Sequence, residues 1–145
     1  RITKYVQIYN KNTHVKTCLN RASSKRYLNY IHRVFYKYKL PPELAHLPIL
    51  ESCFDTKADS GRARGMWQFT RSTGEEYGLS VSFFSDERLN WRKSTHSAAR
   101  YLKKLGDLFN RNWELALAGY NGGPNYMKRQ MKKQGTKNFW KLKRA

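Results

Sequence analysis

Leu47-Pro48-Ile49-Leu50-Glu51-Ser52-Cys53-Phe54 places a carboxylate inside an apolar run. Read as a helix, positions 44, 47, 51 and 54 share one face, and that face reads Leu44, Leu47, Glu51, Phe54. The chain has only 10 acids against 29 Lys and Arg, so an acid in this stripe is not random surface decoration. Desolvation disfavours the charged form of a carboxyl group and raises its pKa. A carboxylic acid still protonated near neutral pH can deliver a proton to a leaving group. The alternative is a structural glutamate that caps a helix or pairs with an arginine. A helical frame surrounds this stretch. Pro41-Pro42 stops one helix and starts the next, which carries Glu51 near its C-terminal end. Upstream, Tyr27, Leu28, Ile31, Phe35 and Tyr38 line one side of a helix capped by Ser23-Ser24, and a moderately periodic segment covers roughly residues 2–19.

Downstream of Glu51, a polar loop runs from Asp55 to Gly65. Short helices are expected around 65–69 and 72–77, the second closed by Gly78. Asn90 opens the longest periodic segment, with Ala98, Tyr101, Leu102, Leu105, Leu108 and Phe109 as its stripe. Asn112 caps an apolar helix that ends at Gly122-Gly123, and Pro124 starts a basic amphipathic helix to about Gln134. No strand pair, internal repeat or linker stands out. At 145 residues, one all-α domain is expected over the whole chain, with residues 1–40 as a helical lead-in.

The order of small motifs narrows the reading. After Glu51-Ser52-x-Phe54 come Ala58-x-Ser60, then Ala63-x-Gly65-x-Trp67-Gln68-Phe69, and far downstream Ala118-x-Tyr120-Asn121. This series resembles the catalytic domain of the lytic transglycosylases, lysozyme-like enzymes that cleave peptidoglycan glycan strands. In particular it resembles the membrane-bound lytic murein transglycosylase D type. The resemblance runs from about Tyr5 to about Lys128 and includes Asp86-Glu87-Arg88. It implies an all-α fold of the goose-type lysozyme and soluble lytic transglycosylase kind. It also implies one catalytic glutamate, Glu51, serving as acid and then as base. Glu51 would protonate the bond between N-acetylmuramic acid and N-acetylglucosamine, and the muramoyl 6-hydroxyl would close on C1 to leave a 1,6-anhydro end. Ser60, Gln68, Tyr120 and Asn121 match the family's substrate-contacting positions. Trp67 is expected in the core, and Gly65 and Gly122 are expected to serve backbone geometry. Three departures stand out: Ser60 to Gln68 is one residue shorter than the commonest spacing, and Gly119 and Cys53 stand where alanine is usual.

Ordinary glycosidases divide their work between two carboxylates. Asp55, Asp59 and Asp86 are the candidates here for a second, and the resembling family places none there. A hydrolytic muramidase on the same scaffold, and a catalytically inactive basic module binding wall or nucleic acid, are therefore the competing readings.

The net charge of +19 favours anionic partners, with a denser C-terminal cluster at Lys128-Arg129, Lys132-Lys133 and Lys141-Leu142-Lys143-Arg144. Peptidoglycan strands and anionic envelope polymers fit that charge. No RNA-recognition motif, zinc-finger spacing or basic zipper points to specific nucleic acid. Neither a metal nor a cofactor is expected, because Cys-x-x-Cys, His-Glu-x-x-His and EF-hand patterns are missing and His14, His32, His46 and His96 are scattered. Without a Gly-x-Ser-x-Gly elbow, a serine hydrolase is unsupported. Cys18 and Cys53 are expected as free, buried thiols acting as small apolar groups. A monomer in the periplasm or cell envelope is the expected state, with no run long enough to cross a membrane. Any export signal, lipid anchor or wall-binding module would lie outside the sequence, which opens at Arg1.

Overall fold

The structure is a computed structural model and describes residues 13–20 and 24–142, the side chain of Ser24 excepted. The expected Ser23-Ser24 cap, the segment before Thr13 and Lys143-Arg144 fall outside the described residues. The chain divides into two compact units, residues 1–99 and 100–145.

In the first unit, α1 (Thr13–Leu19) and α2 (Ser24–Lys37) precede a 3-10 turn over Pro42–His46, which leads directly into α3 (Leu47–Ser52). Pro42 and Pro48 sit in the first turns of their elements, where the missing N–H costs nothing. The expected apolar face holds, because Leu44, Leu47 and Phe54 are buried. The Glu51 helix itself is short. Cys53 and Phe54 both take left-handed backbone angles, φ 53° and 59°, conformations that cost non-glycine residues of order 1–3 kcal/mol each unless the surroundings fix them. Three features fix them. The Cys53 N–H donates to the Ile49 carbonyl at 3.2 Å, the Phe54 N–H donates to the Pro48 carbonyl at 3.4 Å, and the buried Phe54 ring stacks against Tyr27 at 6.2 Å.

Cys18 and Cys53 are joined in a disulfide, with Cα atoms 5.0 Å apart. This overturns the expectation of free thiols. Cys18 is buried in α1 as expected, but Cys53 lies just past the end of α3 and is half-buried, and the left-handed stop after Ser52 brings it against Cys18, a long-range pairing that spacing does not encode.

A second correction concerns residues 65–69. Residues 65–68 form the turn of a small antiparallel hairpin, not a helix, and Phe69 opens its second strand, with β1 (Ala63–Arg64) pairing β2 (Phe69–Thr70) in the register Ala63 to Thr70 and Arg64 to Phe69. Strands of two residues are too short to produce a period-2 pattern. Gly65, at φ 84°, is required here, because a Cβ would overlap the Arg88 carbonyl oxygen. Trp67, in this turn, is fully buried as expected. Its indole N–H donates to Thr95 Oγ1 at 3.0 Å, and its ring packs 5.5 Å from Phe35. Behind the hairpin Arg88, only 6% exposed, is clamped by Asp86 at 2.9 and 2.7 Å and donates to the Phe69 carbonyl at 3.2 Å. Thr70 caps α4 (Arg71–Glu76), and Gly78 closes the segment at φ 90°. Between Val81 and Asp86, paired Ser82 and Ser85 hold a turn whose tip carries Phe83 and Phe84, 96% and 93% exposed.

Asn90 caps α5 (Trp91–Leu108) through a bond from the Lys93 N–H. Residues 100–108 of this helix belong to the second unit. There Tyr101, Leu102, Leu105 and Phe109 are buried as expected, whereas Leu108 is exposed. Asn112 caps α6 (Trp113–Gly122), accepting from the Leu115 N–H at 3.2 Å, and Pro124 opens α7 (Pro124–Gln134). Gly123, at φ 89°, makes the left-handed turn between these helices, while Gly122 remains helical. Gly119 has a packing reason. A Cβ there would lie 3.1 Å from the Phe109 ring and 3.3 Å from Leu105. The expected all-α, lysozyme-like class holds, the two-stranded hairpin notwithstanding.

The bridge closes a separation of 35 residues, for which chain entropy gives about 4 kcal/mol of stabilisation. Thiol titration of the denatured, unreduced protein should find no free thiol, and reduction should lower the urea midpoint substantially. Two titratable thiols before reduction would contradict the bridge.

Candidate active site

Glu51 occupies the last turn of α3, half-buried. Burial pushes its carboxyl above the ordinary glutamate value, and the negative end of the helix dipole acts in the same direction. No described residue gives it a hydrogen bond or an ion pair. Leu50, beside it, is 71% exposed, so the carboxyl sits at a boundary between core and solvent.

The neighbouring Ser52 ties this helix to the hairpin, its hydroxyl donating to the Met66 carbonyl at 2.8 Å. Ser60 stands at the base of the hairpin, exposed. Its hydroxyl accepts from the Ala63 N–H at 3.1 Å and donates to the Ala63 carbonyl at 3.2 Å, a loop-closing geometry. Gln68 takes φ 52° at the end of the turn. Its amide nitrogen donates to the Gly65 carbonyl at 2.9 Å and to the Ala58 carbonyl at 3.3 Å. That anchoring leaves Oε1 with no described donor. Ser60 and Gln68 are therefore two anchors of one loop, both fastened to the Ala58–Gly65 backbone. Neither bonds Glu51 directly. In the second unit, Tyr120 lies at the end of α6 with its ring 5.1 Å from Tyr101, and Asn121 follows it, exposed.

The three candidate second carboxylates are engaged elsewhere. Asp86 is held below its ordinary value, chiefly by the side-chain hydrogen bonds from Arg88, and also pairs with Arg64 at 3.3 Å. Asp59 pairs with Arg64 at 3.0 Å and accepts from the Gly61 N–H. Asp55 accepts from the Lys57 N–H in a local turn. The structural importance of Asp86 and Arg88 was missed by motif reading. The signal available was an Asp-x-Arg pair in a chain so poor in acids.

Comparison with known proteins identifies the family. Residues 29–143 match the family model described as the transglycosylase SLT domain. The chain belongs to that family. It is similar to membrane-bound lytic murein transglycosylase D of Escherichia coli strain K12, 36% identical over 121 residues, which covers 80% of this chain and 27% of the relative. The protein of the same name from Escherichia coli O6:H1 matches equally. A protein of Alteromonas sp. strain M-1 named for tributyltin chloride resistance is 33% identical over 108 residues, 74% of this chain and 52% of its own length. The chain thus spans about a quarter to about half of the length of these relatives.

The raised carboxyl has a stability consequence. With its folded pKa above its unfolded value, Glu51 contributes most to stability below about pH 4 and loses that contribution as pH rises through the folded value. Glu51→Gln should therefore gain thermal stability relative to wild type between about pH 4 and pH 7. Melting curves that move in parallel for the two proteins would show that the carboxyl is not desolvated.

Proposed function

We propose that this domain is a peptidoglycan lytic transglycosylase, with Glu51 as the single general acid and base. The observation that carries this reading is Glu51 itself, whose carboxyl burial pushes above the ordinary glutamate value and which pairs with no cation among the described residues. The protonated carboxyl donates to the glycosidic oxygen between N-acetylmuramic acid and N-acetylglucosamine, and the C1–O bond breaks. The carboxylate left behind then takes the proton of the muramoyl 6-hydroxyl as that oxygen bonds to C1. The product end is a 1,6-anhydro sugar, and water is not consumed. A second carboxylate is dispensable because the nucleophile belongs to the substrate and is already held close. The engagement of Asp59 and Asp86 with arginines supports this division of labour.

Ser60, Gln68, Tyr120 and Asn121 are the substrate contacts in this reading. Gln68 is well suited, since its anchored nitrogen leaves an acceptor oxygen of fixed direction for a sugar hydroxyl or amide. Ser60 is exposed, so its hydroxyl can exchange its Ala63 partner for substrate. Glycan strands of the cell envelope are the partner and the envelope is the location. The name of the Escherichia coli relative, a membrane-bound murein transglycosylase, supports both.

Mass spectrometry of muropeptides released from purified peptidoglycan tests the reaction. Anhydro ends, each lighter than its hydrolysed equivalent by one water and lacking a reducing group, are expected. Reducing N-acetylmuramic acid ends as the main product would replace this reading with hydrolysis, and Asp55→Asn would then test the loop carboxylate left without an arginine.

Two further outcomes follow from the chemistry. Glu51→Gln should lose at least ~10²- to 10⁴-fold in turnover while remaining folded. Wild-type activity should fall on the alkaline side as Glu51 loses its proton, at a pH above the ordinary glutamate value. A flat profile across that range would remove Glu51 from the role of acid.

A further inference from the structure

The outer side of α2 and the start of α5 carry an alternating row of guanidinium groups and aromatic rings. Arg26 Cζ lies 5.4 Å from the Trp91 ring centroid, and Arg92 lies 4.3 Å from the same ring. Arg92 also reaches the Tyr30 ring at 6.0 Å, and Arg33 lies 5.8 Å from it. All three arginines are exposed. None forms an ion pair with a described residue, although four other cations, Arg64, Arg71, Arg88 and Lys93, do find carboxylates. Helix α2 contains no acid at all. Arg26 and Arg33 are seven residues apart, about 10 Å along the helix, so the row presents uncompensated positive charge over that length.

Stacking on a ring uses the flat face of a guanidinium and leaves its N–H edge outward, the edge that binds oxyanions in bidentate fashion. The rings themselves are already occupied. Besides its two arginines, Trp91 takes edge contacts from Tyr27 at 4.7 Å and Tyr30 at 5.1 Å. Tyr30 is further fixed by a hydrogen bond of 3.0 Å to His96 Nε2. A nucleobase or sugar needs an open ring face on which to stack, and this arrangement spends its ring faces on holding the arginines. One turn beyond Arg33, Tyr36 stands almost fully exposed. Arginine beside tyrosine and tryptophan is the residue set of a bilayer interface, with cations at the phosphates and amphipathic rings at headgroup depth.

We propose that this face docks the domain onto an anionic phospholipid surface through Arg26, Arg33 and Arg92. The surface uses none of the residues assigned to the reaction, so it stands or falls independently of the glycan chemistry. Sedimentation of the full chain with phosphatidylcholine vesicles, with and without phosphatidylglycerol, measures it. Binding is expected only when phosphatidylglycerol is present. The triple variant Arg26→Gln, Arg33→Gln, Arg92→Gln should lose affinity on the order of 100-fold, about fivefold for each arginine removed. It should retain wild-type cleavage of peptidoglycan, which also shows that it is folded. A control with the same loss of charge on α7, Lys128→Gln, Lys132→Gln, Lys133→Gln, should bind vesicles within about twofold of wild type. Equal losses in the two triple variants would overturn the proposal in favour of diffuse net charge. Unchanged vesicle binding by the arginine variant would overturn it outright. Tighter, arginine-dependent binding to single-stranded DNA than to the vesicles would assign the face to nucleic acid instead.

Discussion

The left-handed stop after Ser52 is the constraint on which the rest of the first unit depends. Two consecutive non-glycine residues, Cys53 and Phe54, adopt positive φ, a conformation that must be held in place by its surroundings. Phe54 is anchored by burial against Tyr27, and Cys53 by its bond to Cys18. Were α3 to continue in register, Phe54 would still fall on the Glu51 face, but the chain would run on as a rod. The stop instead releases it into the loop at Asp55, from which the hairpin folds back so that Met66 accepts the Ser52 hydroxyl. One local backbone choice thus ends the helix directly behind Glu51 and brings the Gln68 loop to the same helix.

The hairpin is supported from behind by a second device. Arg88 fills the space between β2 and α4, its aliphatic stem against Gly74 and its head between Asp86 and the Phe69 carbonyl. A buried ion pair of this kind is weak as net stabilisation, because desolvation offsets much of the Coulomb gain. Its value is directional. The guanidinium joins the backbone of the hairpin to the 3-10 turn at Glu87–Leu89, and Gly65 lets the turn approach close enough for the Arg88 carbonyl to contact its backbone. Loss of either partner would leave an uncompensated charge under the loop that carries Gln68.

Helix ends and faces were legible in the sequence because their causes are local. Pro42, Asn90, Asn112 and Pro124 act within one turn of themselves, and the stripe on α5 follows from period alone. Glu51 was legible for the same reason, as a polar interruption of an apolar face. The hairpin, the disulfide and the Asp86–Arg88 clamp were not. Each joins residues by tertiary contact, and two-residue strands leave no periodic trace. Gly119 shows the limit of propensity reasoning. Glycine lowers helix propensity, yet here it is the residue that makes room for the Phe109 ring.

In a chain of 29 Lys and Arg, proximity alone would be expected to give every half-buried carboxylate a cation. Half-buried Asp86 and Glu87 each have one, as do the exposed Asp59 and Glu75, whereas half-buried Glu114 accepts from the Trp140 indole N–H instead. An arginine at similar range from Glu51 would lower its pKa by roughly 1–3 units and cancel the effect of burial. Glu51 is spared because its neighbours in sequence and on its helix face, Leu47, Ile49, Leu50, Ser52 and Phe54, carry no charge. The nearest basic residue that follows it, Lys57, lies beyond the left-handed stop and the Asp55 turn. The apolar run around Glu51 therefore does two jobs. It withdraws the carboxyl from water, and it keeps the protein's abundant cations off the acid that the proposed reaction needs protonated.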